Sequence, residues 1–223
     1  MNRNMIINYC PGELTADVTL MLTFTPPGPN KLSTEQNMVA WKVIKLKSVP
    51  GSKANNAAVV SYSGRLAFGL TQDDIGNVIY GASTVEMQLG DSIDVNWGDD
   101  VGMWGLPVKG GDIGTLIKAK NTTNYRQNIS VGTLQNVGGM DVYTPSFMWK
   151  VGSKLGVEAD FHPMLKAYVN LGYQQNEFIT ADITGDMLTE WNLAALPAVS
   201  NWKFTQLPQG GYDISILKFR VVA

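Results

Sequence analysis

Apolar and polar residues alternate with a period of two along much of this chain, and that pattern restricts it to β structure. Val18, Leu20, Leu22 and Phe24 share one face of a stretch whose other face holds Asp17, Thr19 and Thr23. Between 58 and 70 the even positions read Ala, Val, Tyr, Gly, Leu, Phe and Leu, while the odd ones are mostly small or polar. Val85, Met87 and Leu89 lead into Ile93, Val95 and Trp97, with Glu86, Gln88, Asp94 and Asn96 opposite. The break between those two runs is LGDS, a turn signal. Leu165, Ala167, Val169, Leu171 and Tyr173 repeat the alternation. Each run reads as a strand with one buried face. Glycine and proline, 23 and 10 in number, punctuate the runs at short intervals. Many short strands with turns between them predict an all-β fold, an antiparallel β-sandwich. A length of 223 residues suits one such domain spanning 1–223.

Helix signals are few. LSTEQNMVAW offers Ser33 with Gln36 three residues on, the spacing of a capping box. GDMLTEWNLAALP puts Met187, Leu188, Trp191, Ala194 and Ala195 on one helical face, stopped by Pro197. That stretch reads equally well as a strand, because it carries one copy of a recurring pattern. Trp, then an apolar residue two positions on, then Leu five or six positions on occurs from Trp41, Trp149, Trp191 and Trp202. Upstream of Trp41 and of Trp191 lie alternating runs, ADVTLMLTF and KAYVNLGY. The recurrence suggests two similar β halves, 1–104 and 140–223. The alternative is coincidence in a β protein with six tryptophans. The Gly- and Asn-rich segment 105–139 is read as a connection or a protruding hairpin.

Charge excludes several partners. Charged residues make up 16% of the chain and the net charge is −2, with no basic cluster, so nucleic acid has no electrostatic footprint to bind. No run approaches the roughly 18 apolar residues of a membrane-spanning helix, and the N-terminus lacks a signal-peptide pattern. The chain reads as a soluble, intracellular (cytoplasmic) protein, and the sequons at Asn121 and Asn128 as chance matches. A surface so short of charge favours self-association as a homodimer.

Catalytic signatures are also missing. Cys10 and His162 are each the only one of their kind, too few for a zinc or copper site. No glycine-flanked nucleophile and no phosphate-binding loop is present, so no enzymatic activity is expected. The stretch GDSIDVNWGDDVGMWG, 90–105, is richer. Asp94, Asn96, Asp99 and Asp100 supply oxygen ligands for Mg²⁺ or Ca²⁺, although the spacing departs from the EF-hand loop and the same residues make ordinary turns. Trp97, Met103 and Trp104 crowd aromatic faces and polarisable sulfur beside glycines, as the wall of a site for a planar organic ligand would. Trp149 and Tyr173 are the further aromatic candidates. Burial in a core or an interface is the competing fate for all five.

The N-terminal stretch MIINYCPGELTADVTLMLTF, the recurring Trp strands, a mass of 24.3 kDa and a single cysteine together resemble the pink chromoproteins of oyster mushrooms. The resemblance covers the whole chain in size, composition and character, and transfers no individual residue. It implies a homodimeric β fold holding a small indolone-type pigment (the chromophore) and Mg²⁺. The expected function is thus non-catalytic binding or storage of a small planar molecule. The chain is also similar to the lectin and cytolysin group of mushroom β-sandwich proteins, which implies sugar stacking on exposed Trp or Tyr, with Asp and Asn bonding the hydroxyls, or activity at membranes.

Overall fold

The computed structural model describes residues 2–25, 36–73, 77–110, 116–169, 171–179, 183 and 187–217. Strands dominate them, numbered β1 to β18 in chain order and arranged in four sheets. The first sheet runs β18 (Tyr212–Ile216), β17 (Val199–Gln206), β1 (Asn2–Tyr9), β5 (Asn56–Ser63). The second runs β16 (Thr189–Asn192), β14 (Met164–Val169), β2 (Val18–Phe24), β4 (Lys42–Leu46). The third and largest is β15 (Phe178–Ile179), β3 (Gln36–Val39), β12 (Met140–Val151), β11 (Gln127–Val137), β6 (Leu66–Asp73), β7 (Ile79–Met87). The fourth is β13 (Gly156–Ala159), β10 (Ile117–Asn121), β8 (Ser92–Gly98), β9 (Val101–Trp104). Pairing is antiparallel except between β1 and β17 and between β10 and β8. The all-β expectation holds. The only helical turn among the described residues is the three-residue 3-10 turn Pro11–Glu13.

All four sheets turn apolar faces onto one contiguous core, in which Trp41, Trp149, Phe24, Phe68 and Phe147 are fully buried. Each such side chain contributes roughly 1.5–3 kcal/mol by leaving water. The four recurrent tryptophans, Trp41, Trp149, Trp191 and Trp202, are all core residues. The alternating runs upstream of Trp41 and Trp191 lie side by side, since β2 pairs with β14, Leu22 opposite Ala167.

The first helix expectation gives way to a strand, and the second stretch takes the strand alternative. Gln36, which was to close a capping box, begins β3; Ser33 lies outside the described residues. Trp191 sits in β16, where Trp191 pairs with Leu165, and the cross-strand partner rather than the helical spacing decides its conformation. The one-face reading also needs correction at β2. Met21 and Thr23 are buried along with Leu20 and Leu22, because Met21 joins a second small cluster with Ala40, Tyr168 and Ile179. The Thr23 hydroxyl donates to the Val39 carbonyl at 2.9 Å, which is how a polar group is accommodated there. The same cluster takes up Leu171 and Tyr173, so the alternation read from 165 to 173 changes side after β14.

No helix among the described residues is long and apolar enough to cross a membrane. Asn121 is fully buried and held by several hydrogen bonds, which removes that sequon from reach in the folded chain.

Candidate functional site

Strand β8 begins after a turn in which the buried Asp91 carboxylate accepts the Gln88 N–H at 3.0 Å, as the LGDS signal predicted. It then pairs with β9 as a hairpin. Gly98 lies opposite Val101, which leaves Asp99 and Asp100 as a two-residue loop. Both are in the left-handed region, φ 48° and 62°, the backbone of a type I′ turn. A two-residue loop does not wrap an ion. Asp94 and Asn96 stand on the outer face of the sheet, beside Leu106 and Val108, and the Asn96 side-chain oxygen accepts the Thr122 hydroxyl at 2.9 Å. Asp100 lines a different cleft. The four expected metal ligands are therefore not assembled, and no group of three or more His, Cys, Asp or Glu side chains able to hold a metal occurs among the described residues.

Pairing in the hairpin also separates the aromatic candidates. Val95 opposite Trp104 faces inward, and Asn96 opposite Met103 faces out. Trp104 stacks on Phe68 at 6.1 Å and donates its indole N–H to the Ser83 carbonyl at 3.2 Å, bridging β9 to β7. Met103 is exposed on the outer face. Trp97 lies opposite Gly102, and its ring lies 4.4 Å from that of Tyr125, tilted by 37°. These two rings stay open to solvent, 44% and 57% exposed.

Around them is a cleft of about 460 Å³, within the size range of small-molecule sites. Leu70 and Ser83 line it from β6 and β7, Trp97 and Asp100 from the hairpin, Arg126 and Gln127 from the start of β11. Gln127 packs closely over Gly102: a Cβ there would come within 2.6 Å of the Gln127 side-chain oxygen, which would have to turn aside. Tyr125 owes its position to Asn121 and Thr123. The Asn121 amide donates to the carbonyls of Tyr125, Val151 and Gly152 at 2.7, 3.1 and 3.0 Å. The Thr123 hydroxyl donates to the Tyr125 carbonyl at 2.9 Å. The loop that presents the ring is thus tied down from inside.

The remaining candidates lie elsewhere. Trp149 is fully buried, 6.3 Å from Phe147. Its indole N–H, like those of Trp41 and Trp191, has no hydrogen-bond partner among the described residues. Tyr173 packs on the Met21 cluster of the second and third sheets. His162 is exposed, its Nδ1 3.6 Å from the Asp160 carboxylate. Of the five ligand-binding candidates, Trp97, Met103, Trp104, Trp149 and Tyr173, Trp97 alone lines the cleft.

No protein-family model, curated protein or solved structure matches the chain.

Tyr125 and Arg126 were missed because they lie in the Gly- and Asn-rich segment, about which alternation says nothing. Only the parallel pairing of β10 with β8, Asn121 beside Val95, carries Tyr125 to Trp97. No local pattern announces such a pairing.

Proposed function

We propose that the protein binds a small planar organic molecule, without catalysis, in the cleft beside Trp97 and Tyr125. The observation that carries this reading is the exposed ring pair, 44% and 57% open, at the wall of a cleft of about 460 Å³. Two adjacent aromatic faces left in water are unusual unless something covers them. Flat conjugated rings stack on such faces with polarisable contact. Arg126, Gln127, Asp100 and Ser83 around the rings supply the few polar anchors that orient a ligand. A pigment is the ligand favoured, in keeping with the chromoprotein resemblance. His162 lies exposed and outside the cleft's lining. A second copy of the chain is proposed as partner, on the scarcity of surface charge.

The test is the visible spectrum of protein purified from its source. A band above about 400 nm that survives dialysis in the wild type and is lost in Trp97→Ala is the expected result, since Trp and Tyr do not absorb there. A band unchanged in Trp97→Ala and in Tyr125→Ala refutes the assignment to this cleft. Light scattering showing a species of one chain removes the homodimer.

Sugar binding is the second reading, favoured by the openness of both rings, because pyranose faces stack on exposed Trp and Tyr while polar neighbours bond the hydroxyls. A colourless protein that agglutinates red cells, inhibited by a simple sugar and dependent on Trp97, decides for it.

A further inference from the structure

A second cavity, of about 410 Å³, opens on the first sheet where β1 peels away from β17. The parallel pairing ends with Asn8 beside Lys203. The chain then leaves through Cys10 into the 3-10 turn, while β17 runs on to Gln206. Alternation sorts the side chains there. Ile7, Tyr9, Trp202 and Phe204 are buried in the core, so Asn8, Asn201 and Lys203 fall on the outer face. Asn55, just before β5, and Leu217, just after β18, close the sides.

The hydrogen-bond inventory of this cavity is uneven. Both amide hydrogens of Asn8 are used, on the carbonyls of Ile6 and Trp202 at 3.3 and 3.1 Å. These bonds hold the side chain in place and leave its Oδ1 as a fixed acceptor. Asn55 and Asn201 make no side-chain hydrogen bond within the described structure and so offer both donors and acceptors. Lys203 has no carboxylate within ion-pair distance among the described residues, and none of the described residues lining the cavity is acidic. One unneutralised ammonium among neutral amides creates a positive potential with directional donors beside it. That set matches an oxyanion. The fixed Asn8 acceptor asks in addition for a hydrogen-bond donor on the ligand.

We propose that this cavity binds a small organic oxyanion that also carries a donor group, of the hydroxycarboxylate type. The carboxylate sits against Lys203 and the Asn55 and Asn201 amides, and the hydroxyl donates to Asn8 Oδ1. Leu217 gives the apolar edge against which the carbon skeleton rests. The site is separate from the Trp97 cleft and shares no residue with it.

Isothermal titration calorimetry of the full chain at low ionic strength, with L-malate, succinate and inorganic phosphate as probes, tests the assignment. Malate is expected to bind with a dissociation constant on the order of 1 mM, since the ammonium is exposed and screened. Lys203→Met should weaken it about fivefold, and raising the salt should do the same. Succinate, which lacks the hydroxyl, should bind more weakly than malate, and Trp97→Ala should bind malate as the wild type does. Lys203 is a surface residue, so its variant keeps the fold; an unchanged circular dichroism spectrum establishes that. Absence of malate binding, or binding unaffected by Lys203→Met, overturns the site. Succinate binding with the affinity of malate overturns the role given to Asn8, and phosphate binding more tightly than malate overturns the organic ligand class.

Discussion

Asp100 holds a φ of 62° in the tip of the β8–β9 hairpin, where residues with a Cβ pay a steric cost that glycine does not. Asp-Gly is the favoured pair for such a loop. Asp100→Gly is therefore expected to stabilise the chain by up to about 1 kcal/mol, part of the gain being offset by the freer unfolded chain. For a protein of this size that is a rise in Tm of about 2–4 °C. A fall would mean that the Asp100 carboxylate is engaged in the cleft. Asn121 makes the opposite case. Its amide group faces three backbone carbonyls, and its oxygen accepts the Thr123 N–H at 3.0 Å. Asn121→Ala strands that set of buried polar groups, and a loss of about 2–4 kcal/mol in urea unfolding is expected. Because the same bonds hold Tyr125, ligand affinity in the Trp97 cleft should fall with it. Trp97 was legible as a candidate from its glycine-rich, aromatic surroundings. Asn121 was read only as a sequon, since its side chain is buried by neighbours thirty residues away.

The β11–β12 hairpin is the longest element pair, and its register shifts at Val131/Gly132. A Cβ at Gly132 would stand 2.1 Å from the Thr144 carbonyl oxygen, a backbone atom that cannot rotate aside. Gly132→Ala should therefore cost about 3 kcal/mol, at the upper end of overpacking effects, and show as a lowered urea midpoint or insoluble expression. Strands such as β2, β8 and β14 were legible because period-two alternation is a local property of the chain. The helix reading at Gln36, and the choice left open between helix and strand at Trp191, have the converse reason: both residues lie in four-residue strands, too short to show a period, and their pairing partners fix them. The buried second face of β2 was hidden likewise, since Ala40 and Tyr168, which cover Met21, come from other segments.

Across the molecule, buried phenols set the alkaline limit of the fold. Burial pushes the Tyr62 hydroxyl up to about 12, Arg3 opposing the shift slightly. Burial raises that of Tyr143 as well, against the bond it shares with Ser130. In the unfolded chain a tyrosine titrates near 10. Below pH 10 both states keep the proton and the contribution of Tyr62 is intact; between 10 and 12 the unfolded chain sheds it first, so stability falls. The loss from Tyr62 is of the order of 2–3 kcal/mol. Urea midpoints at pH 9 and pH 11.5 should separate further in the wild type than in Tyr62→Phe; equal separations would assign the alkaline loss to other groups. At this level the all-β class was readable from composition and alternation, but the assembly into four sheets was not. It depends on two parallel joints, β1 with β17 and β8 with β10, which no turn between neighbouring strands can encode.

One of those joints also dictates when the molecule can finish folding. β1 occupies an interior place in its sheet, between β5 and β17, yet nearly the whole chain separates it from β17. During synthesis β1 leaves the ribosome long before β17, with one long edge and the apolar flank of Met5 and Ile7 uncovered meanwhile. Closing so distant a contact makes refolding slow, in the millisecond-to-second range typical of all-β chains. The vulnerable period of this protein is therefore its own translation, when chaperones have the longest claim on it.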